Sequence, residues 1–249
     1  MTTEHGSDTD RGGEGDRPDQ LGSGAESAAD LGGEGDRPDP GRVWYAGYGS
    51  NLRRDRFMLY LTGGHIEGRD RGHHGARDAT PPVGHEVGRI PHRLHFGGES
   101  RRWGGGVAFV DPREGSGEAV VRLWNLTHEQ FEDVAAQENG LEPGRVTVDL
   151  GELEQHRAVD IGGPWYGHGL WLGRRRGMPV VTFTQRVLFE PNPPTPAYLE
   201  MVAAGLLEVG LGVAEAVDYL LGASGVAPHW TPQRLRSLVA GVGDPEPHP

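Results

Sequence analysis

The stretch "WYAGYGSNL", Trp44 to Leu52, decides how this chain is read. An apolar, aromatic run over 43–48 has the character of a buried strand, then stops abruptly at Gly49-Ser50-Asn51. A helical pattern follows over 52–61, with Ser50 or Asn51 as its expected N-cap. Gly-Ser-Asn is ordinary turn chemistry. The same residues can also present unpaired backbone N–H groups at the positive end of a helix dipole, where an anion or a developing oxyanion can sit. Gly49 has no Cβ and lets the backbone come close to whatever is held there. At this level the turn reads either way.

Working outward, residues 62–89 are rich in Gly, His and Arg and read as an irregular loop. Strand-like runs follow at 92–96, 107–110 and 120–124, with the triplet Gly104-Gly105-Gly106 before the second. The runs 166–172 and 179–184 flank the polar tip "GRRRG" and predict a hairpin. Thr195-Pro196 opens a helix to about residue 209, with Thr as N-cap and Pro at the first helical position. A further helix is expected over 213–221, and a short one from Thr231-Pro232. Strands without regular βαβ alternation, with helices of uneven length, indicate an α+β fold.

The 249 residues suit one domain with tails: an acidic tail 1–41, a folded domain 42–242 and a loose end 243–249. The first tail carries 11 acidic residues and 3 arginines, a net −8 of the chain's −12. It has almost no large apolar side chains, so burial cannot offset the entropy of ordering it, and disorder is expected. The octapeptide Gly-Gly-Glu-Gly-Asp-Arg-Pro-Asp occurs in it twice, at 12–19 and 32–39, as a duplication of tail sequence. The chain has no cysteine and no lysine. That excludes disulfides, a thiolate zinc site, a cysteine nucleophile, a Schiff-base lysine and a P-loop lysine. The first 30 residues hold no apolar run for a signal peptide, and the apolar stretch 198–226 is broken by Glu200, Glu208, Glu215 and Asp218. A cytoplasmic protein that does not span a membrane is the expectation.

The most informative local pattern is "LTHEQFEDVAAQENG", residues 126–140. Thr127 and Gln130 have capping-box spacing and fix the start of a helix. Phe131, Val134 and Ala135 then mark its buried stripe, and position i+7 on that stripe is Glu138. Asn139-Gly140 supplies a left-handed stop. Burial and the negative end of the helix dipole both disfavour a charged carboxylate, so the pattern predicts a group that takes and returns a proton near neutral pH. The alternative is a last-turn glutamate in water.

Two of these stretches, "YAGYGSNL" and "FEDVAAQENG", resemble the γ-glutamylcyclotransferase-like family, which has a Tyr-Gly-Ser-Asn turn after its first strand and a Gln-Glu-Gly-type element bearing its catalytic glutamate. A third, "PTPAYLEMVAAGL" at 194–206, resembles that family's Pro-rich entry to a late helix carrying a tyrosine. The resemblance implies a small, mostly antiparallel β-barrel with flanking helices. It implies cyclisation of an N-terminal γ-glutamyl group to 5-oxoproline with release of the attached amine, without metal or cofactor. Carried onto this sequence, Glu138 is the catalytic acid/base, and Tyr48, Gly49, Ser50, Asn51 and Tyr198 bind substrate. Asn139 stands where relatives often have Gly.

Other signals are weaker. His65, His73, His74, His85, His92 and His95 lack metal-ligand spacing, so no metal is expected. Arg174-Arg175-Arg176 falls at a hairpin tip in an acidic chain and reads as a solvated turn, not a nucleic-acid contact. The expected partner is a small γ-glutamyl compound; the sequence does not reveal the oligomeric state. Two further function classes remain open: a non-catalytic ligand-binding module on the same fold, and an amide hydrolase or deacylase in which water attacks.

Overall fold

In a computed structural model of the protein, residues 41–65 and 72–243 are described. Apart from Gly41 and Gly243, the expectations for the two tails fall outside those residues.

The first strand, β1 (Arg42–Gly47), is the strand the sequence predicts. Its side chains alternate between two apolar cores: Val43 and Tyr45 enter one, Trp44 and Ala46 the other. Both faces are covered, which is why the run is apolar throughout rather than at every second position. β1 lies inside a six-stranded sheet with β2 (His85–Ile90), β5 (Ala119–Thr127), β6 (Ala158–Asp160), β7 (His168–Arg175) and β8 (Met178–Thr184). The order is β2-β5-β1-β8-β7-β6; β1 and β8 run parallel and the other neighbours antiparallel. Helices α1 (Arg54–Thr62), α2 (His128–Glu138) and α3 (Leu150–His156) lie in chain order before α4 (Pro196–Glu208), α5 (Val213–Gly222) and α6 (Pro232–Gly243). Phe57 and Phe131, from α1 and α2, join the core of Tyr45, whereas Leu199, Val217 and Leu235, from α4, α5 and α6, join that of Trp44. The fold is α+β, a central sheet with flanking helices.

The sheet does not close into the expected barrel. β3 (Leu94–Ser100) and β4 (Gly105–Val110) form a separate two-stranded piece whose outer edges are already occupied. Phe96 donates to Ser224 O at 2.7 Å and accepts from Asn192 N at 3.1 Å, while Gly106 N donates to Pro193 O at 3.1 Å. A Cβ on Gly106 would stand 2.0 Å from Asn192 O, so the backbones approach as only glycine permits. With those edges taken by segments 191–193 and 224, β2 and β6 remain the sheet's two ends.

Several local expectations change. The Gly-Ser-Asn turn is a 3-10 turn, Gly49–Leu52, and α1 begins only at Arg54 with Arg53 as its N-cap, not Ser50 or Asn51. The region 62–89 holds all but the last residue of the edge strand β2, and α3 and β6 are additional to the expected elements. The hairpin tip is not simply solvated: Arg174 forks onto Glu154 at 2.9 and 2.7 Å, and Arg175 and Arg176 both pair with Glu86. Arg176 and Gly177 take φ +48° and +74°, the tight two-residue turn that matches strand twist. No helix among the described residues is long and apolar enough to cross a membrane.

Candidate active site

The end of β1, the 3-10 turn, α1, β4, the last turn of α2 and the start of α4 enclose a cavity of about 1060 Å³. Glu138 reaches it as the sequence predicts. The capping box forms, with Gln130 N donating to Thr127 Oγ1 at 3.1 Å and Thr127 N to Gln130 Oε1 at 3.0 Å. Phe131, Val134 and Ala135 are fully buried, and Glu138, two turns on, lines the cavity half-buried.

Across the cavity stands the 3-10 turn. The Asn51 Nδ2 group donates to Glu138 Oε1 at 2.7 Å and to the Tyr45 hydroxyl at 3.0 Å, while Asn51 Oδ1 is buried without a partner. In the turn, the N–H groups of Asn51 and Arg53 are taken by Tyr48 O and Ser50 O. Those of Gly49 and Ser50 have no acceptor among the described residues, as expected for the first donors of a helical turn. Gly49 takes φ +58°, and a Cβ there would lie 2.6 Å from Ala108 Cβ. Glycine is therefore required by conformation and by space. Gly49 itself is not among the residues lining the cavity, whereas Tyr48, Ser50, Asn51, Glu138 and Tyr198 are.

Five tyrosines surround the carboxylate. Tyr48 donates to Phe183 O at 2.8 Å, Tyr166 to Ala108 O at 2.9 Å, and Tyr198 accepts from Ala108 N at 3.1 Å. Burial is the first cause that raises the pKa of Tyr45, Tyr48, Tyr60, Tyr166 and Tyr198, and the charge of Glu138 adds to it in each. For Tyr198 the Ala108 N–H opposes, leaving it pushed up to about 12. All five stay protonated in neutral solution.

The sequence reading missed Tyr45, Tyr60, Tyr166, Arg56 and the role of Asn139. Arg56 and Tyr60 follow Leu52 at helical spacing, so the rule that found Glu138 also marks them. Asn139 does not adopt the left-handed stop; its φ is −90°, and Gly140, at +71°, makes that turn. The Asn139 side chain instead ties the helix end to the 162–167 loop. Its Oδ1 accepts from Trp165 N at 3.1 Å and Tyr166 N at 2.8 Å, while Nδ2 donates to Ala135 O at 2.9 Å. Gly163 makes the room, since a Cβ there would lie 2.2 Å from Asn139 Cγ.

His65, His73 and His74 border the cavity beside Arg102. Burial, then the charges of Arg56 and Arg102, lowers His73 to about 3, so its Nε2 is a neutral acceptor 3.0 Å from Arg102 Nη1. Among the described residues no three His, Asp or Glu side chains are grouped to hold a metal ion.

No family model matches the sequence. A curated relative, histone deacetylase 5 of Arabidopsis thaliana, is 35% identical over 198 residues, which is 72% of this chain. The chain spans about 30% of the length of that relative. Solved structures that align with this one include an uncharacterized protein from Homo sapiens and a gamma-glutamyl cyclotransferase. Each aligns at TM-score 0.45 and 16% identity over 80% of this chain, covering 99% and 98% of the other chain respectively.

Proposed function

We propose that this protein is a γ-glutamyl cyclotransferase, converting a γ-glutamyl amide or peptide to 5-oxoproline and the free amine by intramolecular aminolysis. The observation that carries the reading is the 2.7 Å contact between Asn51 and Glu138 across a cavity that also receives the open end of the 3-10 turn.

In this reading the substrate's α-ammonium lies between Glu138 and the unpartnered Asn51 Oδ1, two acceptors suited to a cation. Glu138 removes one proton, and the freed amine attacks the γ-carbonyl carbon. The carbonyl oxygen, now an oxyanion, turns to the N–H group of Ser50, which lines the cavity. The intermediate collapses by breaking the γ-carbon–nitrogen bond, and Glu138 returns its proton to the departing amine. Protons balance and no redox partner is needed. Five protonated tyrosines cannot act as the base, and Glu138 is the cavity carboxylate in contact with the turn. Folding the substrate into an attack-ready ring shape contributes several of the ~7–11 kcal/mol open to well-oriented intramolecular reactions.

A second reading, amide hydrolysis with water as the nucleophile, is favoured by the deacetylase name of the 35% identical relative. The two chemistries separate on a panel of γ-glutamyl compounds followed by mass spectrometry. Cyclisation gives 5-oxoproline and stops when the α-amine is acylated; hydrolysis gives glutamate and persists. Absence of either product across the panel refutes both and leaves a binding module.

A further inference from the structure

Among the cavity side chains to which the mechanism above gives no task is Arg56. Arg56 projects from α1 and is only 4% exposed. Its Nη2 donates to the Tyr60 hydroxyl at 2.9 Å, and its guanidinium carbon sits 4.6 Å from the Tyr60 ring centroid. Its Nε and Nη1 are fully buried and meet no acceptor among the described residues. Those two nitrogens carry three of the group's five N–H donors.

A buried guanidinium in this state is costly, because arginine stays ionised and an uncompensated charge in a protein interior loses several kcal/mol of hydration. Glu138 acts on it through space, but no ion pair joins them. A ligand in the cavity that Arg56 lines would supply the missing acceptors. Buried donors of this kind are rare in folded proteins unless something else satisfies them. A carboxylate is the group whose charge and acceptor geometry suit arginine.

We infer that Arg56 is the anion-recognition residue of the cavity, and that the ligand presents a carboxylate to its Nε or Nη1. The inference deepens the cyclotransferase reading and, for substrate class, rests on it. The carboxylate is either the free α-carboxylate of the glutamyl unit or one borne by the departing amine. In both cases the Ser50 N–H is left for the oxyanion, and a γ-glutamyl amide with no carboxylate at either end is a poor substrate.

Binding is tested apart from turnover with glutarate, which has no amine or amide to react, against its neutral diamide, glutaramide. Calorimetry on the full chain is expected to show glutarate binding at least ~30-fold tighter than glutaramide, a ratio worth ~2 kcal/mol. Arg56→Met is expected to erase that preference while keeping or raising Tm, since an apolar side chain replaces a buried unmatched charge. Should Arg56→Met not fold, Arg56→Gln, which keeps a donor for Tyr60 without the charge, decides by the same ratio. A wild type without the preference, or a folded Arg56 variant that retains it, overturns the inference. A falling Tm together with a retained preference makes Arg56 scaffolding.

The source of the carboxylate is found with γ-glutamylglycine, its α-carboxamide and γ-glutamylglycinamide as substrates. The amidation that lowers kcat/KM in wild type but not in the Arg56 variant identifies the carboxylate Arg56 holds; if neither does, the assignment to substrate fails. If no compound yields 5-oxoproline while glutarate still binds through Arg56, the cyclotransferase reading falls and the anion site stands. If 5-oxoproline forms and the Arg56 variant binds glutarate as wild type does, the reverse holds.

Discussion

Replacing Asn139 by Ala separates what holds the last turn of α2 from what the cavity does chemically. Asn139 is 5% exposed and its side chain makes three hydrogen bonds, to Trp165 N, Tyr166 N and Ala135 O. Each is worth roughly 1 kcal/mol net, so a full loss approaches ~3 kcal/mol. The bond to Ala135 O contributes least, because that carbonyl also accepts the Asn139 backbone N–H at 3.3 Å. Trp165 and Tyr166 are half-buried, so water partly replaces Oδ1 on their amides. The expected cost is therefore about 2–3 kcal/mol, read as a lower urea midpoint at unchanged slope. The loop carrying Trp165 and Tyr166 should loosen along with it, seen as faster amide exchange at those two residues than elsewhere. A variant within ~0.5 kcal/mol of wild type, with unchanged exchange, would refute this account of the helix end.

Gly49→Ala combines a positive φ with a Cβ placed 2.6 Å from Ala108 Cβ. It should cost about 2–5 kcal/mol, from left-handed strain of ~1–2 and overpacking of ~1–3, in a denaturation series; a neutral result would show that the turn relaxes freely. His73 is held near pKa 3 against an ordinary 6.5, so between those values the unfolded chain takes up a proton that the folded chain refuses. Its contribution is complete above pH 6.5 and falls as pH drops toward 3, by ~1 kcal/mol between pH 7 and 5 after discounting for partial exposure. His73→Gln should flatten the stability–pH curve in that window, and an unchanged slope would contradict the assignment.

Much of the site could be read from periodicity. Glu138 was found because Phe131, Val134 and Ala135 define a buried stripe and the capping box fixes its register. Arg56 and Tyr60 obey the same rule four and eight residues after Leu52, but the polar tetrad "RRDR" at 53–56 disguises a buried arginine beside the half-buried Arg53 and the exposed Arg54. β2 was hidden because an edge strand exposes much of itself, and of "HEVGRI" only Ile90 is buried. α3 was hidden for a similar reason: it spans two turns, is capped by Asp149 and buries only Leu153, so it has no stripe to detect. Barrel closure is not a local property at all. It depends on whether β3 and β4 find free edges, and segments 191–193 and 224 reach those edges from roughly 90 to 130 residues away. The hub made by Asn139 was illegible for the same reason, since its partners lie 26 and 27 residues on.

The most direct measurement compares the rate of 5-oxoproline release by wild type and Glu138→Gln on a γ-glutamyl substrate that the wild type turns over. Glutamine keeps the shape, and its amide oxygen can still accept from Asn51 Nδ2, so the variant should fold with an unchanged melting curve. It cannot take the ammonium proton, so kcat should fall by ~10²–10⁴. A well-folded Glu138→Gln that releases 5-oxoproline at the wild-type rate would contradict the account.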